Sequence, residues 1–164
     1  MGQLEQAVED YEFARDCSEK VRYTWPLGLG LFYLERYSDV VNQLESDITY
    51  FEGKFGDSAT DERIFRAASL MHLARLKGEP LEGVAESIQP LEIKEPTFLR
   101  RTVHELFRGQ ASAQDVEAVI SGEEGKSFDY LGTRFYGQFF LGLWYDACGE
   151  EVDLLGGVQL RGEP

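Results

Sequence analysis

Apolar side chains recur along most of this chain at intervals of three and four residues, the spacing that gathers them on one face of an α-helix. Leu4, Ala7, Val8, Tyr11 and Ala14 form the first such stripe, with acidic residues on the other face, and predict a helix over Leu4–Cys17. Ser18–Tyr23 is polar and reads as a connector. Pro26 suits the first turn of a second helix, where a missing N–H costs nothing. That helix runs to Leu34 and is apolar nearly all round. Glu35 and Arg36 make a tight turn into a third, Tyr37–Phe51, whose stripe is Tyr37, Val40, Val41, Leu44 and Ile48.

Gly53–Thr60 sets two glycines among polar residues and predicts a loop. Thr60 or Asp61 caps a fourth helix, which ends at Gly78. Shorter helices follow over Leu81–Ile88, Thr97–Arg108 and Ser112–Ile120, punctuated by Pro90, Pro96 and Gly109. Ser121–Ser127 is a charged loop, and Phe128–Cys148 is one long helix or two short ones, closed by Gly149. Val152–Leu160 contains Gly156 and Gly157 and is expected to be weakly helical or frayed. No segment sustains the two-residue alternation of a strand. The fold class is therefore all-α, helix and short turn repeated, as an α-solenoid or an irregular bundle.

Composition narrows this without redirecting it. A length of 164 residues suits one domain with a real core, and 43% hydrophobic with 13% aromatic residues excludes disorder. Thirty acidic against 16 basic residues give a net charge of −14, which opposes nucleic acid and anionic membranes and leaves a soluble, acidic exterior. The most apolar stretch, Phe135–Tyr145, is too short to insert in a membrane. The acidic N-terminus is neither a signal nor a transit peptide, although a mature chain could have lost one. Cys17 and Cys148 make no metal spacing and no disulfide framework, and read as small residues in a reducing intracellular compartment.

Candidate chemistry is sparse. His72 and His104 are the only histidines. His72 lies among apolar helical residues and reads as buried or on a rim. His104-Glu105 lacks the second histidine that a zinc-protease helix needs. Serine nucleophile elbows and phosphate-binding glycine loops are absent, and Gly28 and Gly30 read as helix-packing positions. Glu123, Glu124 and Asp129 lack calcium-loop spacing. No catalytic residue, metal or cofactor is assigned, and the chain is read as not an enzyme. A carboxylate-based hydrolase is the weakest alternative, because such a pair needs a cleft and a defined separation.

A recurrent unit emerges instead. Leu27-Gly28 is followed by the turn at Glu35 and then by Tyr37 and Val40; Leu141-Gly142 is followed by Tyr145 and the turn at Gly149. Gly2, Ala7, Tyr11 and Ala14 supply the second half of such a unit, and Leu70, Ala74, Gly78 and Val84 a weaker copy. At these residues the chain resembles the tetratricopeptide-repeat (TPR) family. In that pattern, glycine lets two helices cross closely and small residues let the next unit stack. The resemblance implies one domain over residues 1–164, with antiparallel helix pairs stacked as a short right-handed α-solenoid. Its best-matched units are 2–17, 22–51, 61–89 and 135–155; helices over 96–121 are outside the consensus. Glu35 replaces the usual turn glycine and Asp47 a usual small residue. The array starts in mid-unit, as a fragment, a trimmed domain or a degenerate member with capping helices would. The segments YLERYSDVVNQLESDI and RFYGQFFLGLWYDACGE are similar to a divergent TPR group of plant and algal organelles, which implies a plastid or mitochondrion.

The resemblance also implies a function: a scaffold or adaptor that binds a protein or peptide partner, with the first helix of each pair lining a groove. The groove residues it assigns are Trp25, Leu29, Phe32, Tyr33, Phe65, His72, Tyr136, Phe139 and Leu143. The same helical spacing equally suits internal core. The positions that clamp acidic chaperone tails in one TPR subclass are here Trp25, Leu29, Ala68, His72, Phe139 and Leu143, without a lysine or arginine, so that partner is not expected. The alternative function is a structural or assembly subunit of a larger organellar complex, its groove filled by a neighbour or by its own helices. Oligomeric state is left open.

Overall fold

The computed structural model describes residues 2–17, 24–122, 130–153 and 157–160. Its described residues form eight helices: α1 (Gly2–Cys17), α2 (Trp25–Tyr33), α3 (Tyr37–Phe55), α4 (Thr60–Lys77), α5 (Leu81–Ser87), α6 (Phe98–Phe107), α7 (Ala113–Gly122) and α8 (Tyr130–Cys148). The helical body agrees with the 3.6-residue spacing of the sequence. A strand pair follows, β1 (Glu150–Asp153) and β2 (Gly157–Leu160), antiparallel with Glu150 opposite Leu160 and Val152 opposite Val158.

That pair replaces the weak helix expected over Val152–Leu160. Glycine disfavours helix there, and β-branched valines favour extended backbone. A second difference lies in α3, which continues through Gly53 and stops only at Gly56, in the left-handed region at φ 65°. Tyr50, Phe51 and Phe55 hold this extra turn, with Phe51 and Phe55 ring centroids 5.3 Å apart. The expected connector Ser18–Tyr23, most of the loop Ser121–Ser127, and Phe128 lie outside the described residues.

Successive helices pack side by side: α1 on α2, α2 on α3, α3 on α4. Helix α4 then also meets α2, α5, α6 and α8, α7 packs against both α6 and α8, and β1 rests on α8. The core between them is built from Leu27, Leu31, Val40, Leu44, Ile64, Val103, Phe107 and Val116, all essentially inaccessible to water. Burial on this scale, at roughly 25 cal/mol per Å² of apolar surface, is the main force holding the helices together.

Helix α2 is squeezed from two sides. A Cβ on Gly28 would lie 2.6 Å from Leu44 Cδ2 of α3, and one on Gly30 would lie 2.6 Å from Val8 Cγ2 of α1. The close crossing read from Gly28 is therefore present. Gly142 differs, since a Cβ there would meet nothing within 4 Å. In α8 the close approach falls at Gly137, where a Cβ would come within 2.5 Å of the Ile120 side chain of α7.

Both departures from the repeat pattern have a local structural role. Helix α2 ends with the Arg36 N–H on the Leu31 carbonyl and the Glu35 N–H on the Phe32 carbonyl, each 2.9 Å. This double closure places residue 35 in the left-handed region, and Glu35 occupies it at φ 57°. The end of α4 is closed in the same way with Gly78 at φ 69°. Asp47 is fully buried and accepts hydrogen bonds from Thr24 Oγ1 and Gln43 Nε2, both 3.2 Å. The trio links the N-cap residue of α2 to the interior of α3 and satisfies Asp47 Oδ1, while the buried Oδ2 has no hydrogen-bond partner.

Candidate functional site

The residues expected to line a groove come from α2, α4 and α8, and the structure brings these helices together around Phe65. Trp25 meets Phe65 edge-on at 5.2 Å, Phe32 meets it at 5.3 Å, and Phe139 at 6.0 Å. The first two are edge-to-face, and such contacts add about 0.5–1.5 kcal/mol per pair beyond burial. The aromatic cluster is real, but its members divide by depth. Phe32, Phe65, His72 and Leu143 are buried and form floor or core. Trp25, Leu29 and Phe139 are half-buried, while Tyr33 and Tyr136 are exposed.

An exposed apolar surface lies one step outward from the expected groove. Leu131 and Phe135 are 77% and 64% exposed, and with Phe139 they occupy one face of α8 at intervals of four residues. Phe135 stacks on Phe139 at 6.3 Å, so a ladder of rings runs from the surface through Phe139 to the buried Phe65. Arg134 and Gln138 border this face, which holds a shallow depression of about 560 Å³. Leu131 and Phe135 escaped the repeat-based assignment because that alignment begins its last unit at Phe135 and points Tyr136 inward. The plain spacing 131, 135, 139 carried the signal.

At the other end of α8 the surface turns polar. His72 of α4 lies flat on Tyr37 of α3, centroids 4.3 Å apart and planes 2° from parallel. Its Nε2 is 3.2 Å from Asp146 Oδ2 without the alignment of a hydrogen bond. Arg75 Nη1 donates to the Asp146 carbonyl at 2.8 Å, and Gly149, at φ 79°, leaves room for the guanidinium. With Glu35 and Glu150 these groups border a cleft of about 460 Å³. Desolvation lowers the His72 pKa, and the Asp146 carboxylate works against that shift. Burial pushes the Cys148 thiol up to about 12, which removes it as a nucleophile.

Among the described residues no group of three or more His, Cys, Asp or Glu is gathered closely enough to hold a metal ion. No described helix is long and apolar enough to cross a membrane. His104 is completely buried, with neither ring nitrogen hydrogen-bonded, so it touches no site surface. Compared with known proteins, the chain matches no family model, no curated protein and no solved structure.

Proposed function

We propose that this chain is a TPR-like helical scaffold that binds a partner protein through the aromatic face of α8. The single observation that carries the reading is the exposed stripe Leu131–Phe135–Phe139, continuous with a rigid buried floor at Phe65. Apolar side chains this exposed and contiguous mark interaction surfaces, and aromatic anchors backed by packed rings make strong ones. Two of the expected helix pairs support the repeat reading. Helices α2 and α3 of the unit over 22–51 and α4 and α5 of the unit over 61–89 lie side by side, while in the unit over 135–155 helix α8 is followed by the strand β1 rather than by a second helix.

The occupant that fits is an amphipathic helix of another protein, with apolar anchors three and four residues apart and basic flanks. The anchors would lie along the α8 stripe, and the flanks would face a chain of net charge −14. Because Phe32, Phe65 and Leu143 are buried within the chain, the partner sits on the outer wall of the expected groove.

The test compares cross-linked, mass-identified partners of the native chain with those of Leu131→Asp/Phe135→Asp and of Leu76→Asp, an exposed control. Loss of the same partner in the double variant alone, with amide exchange in α8 slowed by that purified partner, supports the reading. Retention by the folded double variant removes it. Concentration-dependent dimerisation of the native chain, abolished by the double variant, would assign the stripe to a second copy instead.

A further inference from the structure

Helices α4 and α8 lie side by side, and their contacts keep step. Phe65 of α4 meets Phe139 of α8, and seven residues further along both helices His72 meets Asp146. Two turns, about 10 Å, therefore separate the half-buried Phe139 ring from the polar cleft at the end of α8. The outer face of α8 joins them. Leu131, Phe135, Gln138, Gly142 and Asp146 follow one another at steps of three and four residues, and all are exposed. A Cβ on Gly142 would meet nothing within 4 Å, so the path from the rings to the cleft is open.

The cleft is unevenly charged. Glu35, Asp146 and Glu150 line it, against one basic side chain, Arg75. That guanidinium lies back against Gly149, with Nη1 bound to the Asp146 carbonyl. Among the described residues, the Asp146 carboxylate has no lysine or arginine partner, only His72 Nε2 at 3.2 Å. Acidity alone would make this an ordinary solvated edge, but His72 adds an independent demand. It is 9% exposed, it lines the cleft, and its Nε2 is buried without a hydrogen-bond partner. Such a nitrogen is costly to leave unbonded. Desolvation favours the neutral ring, whose unprotonated nitrogen accepts a hydrogen bond. No aligned bond to Asp146 holds a proton on Nε2, so Nε2 and Asp146 Oδ2 form two neighbouring acceptors.

We propose that the partner helix seats an arginine in this cleft, its guanidinium donating to His72 Nε2 and Asp146 Oδ2 together, two turns beyond the apolar anchor that packs on Phe139. The proposal rests on the reading of α8 as the partner-binding face. A guanidinium presents its N–H donors as a planar fork, which suits two adjacent acceptors better than the single point charge of an ammonium does. Glu35 and Glu150 add negative potential at the same place.

Fluorescence anisotropy on the full chain at about pH 7.5 tests this with amidated helical peptides. Each carries three leucines at four-residue steps and one arginine, placed seven residues before the first leucine or after the last. Matched forms carry lysine, or citrulline, which keeps the shape of arginine without its charge. One arginine peptide should bind saturably and its citrulline form about tenfold more weakly, the loss of one charged hydrogen bond. The lysine form should fall between them. Asp146→Asn, at a position 68% exposed, should bind the arginine and citrulline forms alike. Glu35→Gln should narrow the difference less, and gives the readout if circular dichroism shows Asp146→Asn unfolded. Equal binding of arginine and citrulline forms by the native chain, lysine as good as arginine, or an arginine preference that survives in folded Asp146→Asn would each overturn the seat. The α8 reading outlives those results when Leu131→Asp/Phe135→Asp weakens every peptide. Binding of no peptide by the native chain would overturn the helical occupant and the arginine seat together.

Discussion

At the scale of single residues, two buried titratable groups oppose each other. Burial, followed by the negative charges of Asp61, Asp47 and Asp57, raises the Glu62 carboxyl to about 7. Burial, followed by the positive charges of Arg63 and Arg108, lowers His104 to about 4. Their linkage to folding has opposite sign. Glu62 holds a proton in the folded chain that it releases on unfolding above its ordinary value near 4.5, so its contribution is present at low pH and lost as pH rises through 7. His104 is neutral when folded and gains a proton on unfolding below 6.5, so its contribution is present above 6.5 and lost as pH falls toward 4. Denaturant titrations should show the stability of Glu62→Gln, relative to the native chain, growing by about 1–3 kcal/mol from pH 4.5 to 7. The relative stability of His104→Leu should grow in the other direction, from pH 6.5 down to 4. Parallel curves for native and variant chains would refute the assignment. Neither shift was legible in the sequence: Glu62 reads as an ordinary first-turn acid, and only the packing of α3 and α4 around it makes it unusual.

At the scale of elements, most boundaries were legible because they rest on local chemistry. Pro26 starts α2, Gly78 closes α4, and the stripe Val40–Leu44–Ile48 faces inward along α3 as its spacing requires. Glycine identity alone, however, does not distinguish a contact from a tolerated gap. Gly137 and Gly142 sit five residues apart in one helix, and only the first is pressed against a neighbour. Gly142→Ala should therefore stabilise the chain by about 0.5–1 kcal/mol, the ordinary gain in helix propensity. Gly137→Ala should instead destabilise it by about 1–3 kcal/mol, because the Ile120 side chain must move. Thermal unfolding of the two variants checks both signs at once. The candidate surface was only partly legible for a related reason. The spacing of Trp25, Phe32, Phe65 and Phe139 reveals an aromatic face, but which rings remain at the surface depends on how deeply α8 seats against α4, a long-range event that the sequence does not display.

At the scale of the whole molecule, α4 is the element on which the others converge, with α2, α3, α5, α6 and α8 all resting against it. A strictly linear stack, in which each unit touches only its neighbours, can unravel from an end. Here α8 returns to α4 across the intervening α5, α6 and α7, so those helices should unfold together. Hydrogen exchange should place the amides of α4, α6 and α8 in one slow cooperative class, and those of α1, which packs chiefly on α2, in a faster one. Exchange of α8 ahead of α4 would contradict this.

The same return has a consequence during synthesis. Translation delivers α4 well before α8, so the ring face of Phe65 emerges from the ribosome without the helix that later covers it. For that interval the side of Phe65 that Phe139 later covers is open, while Trp25 and Phe32 of α2 are already available to pack on the rest of the ring.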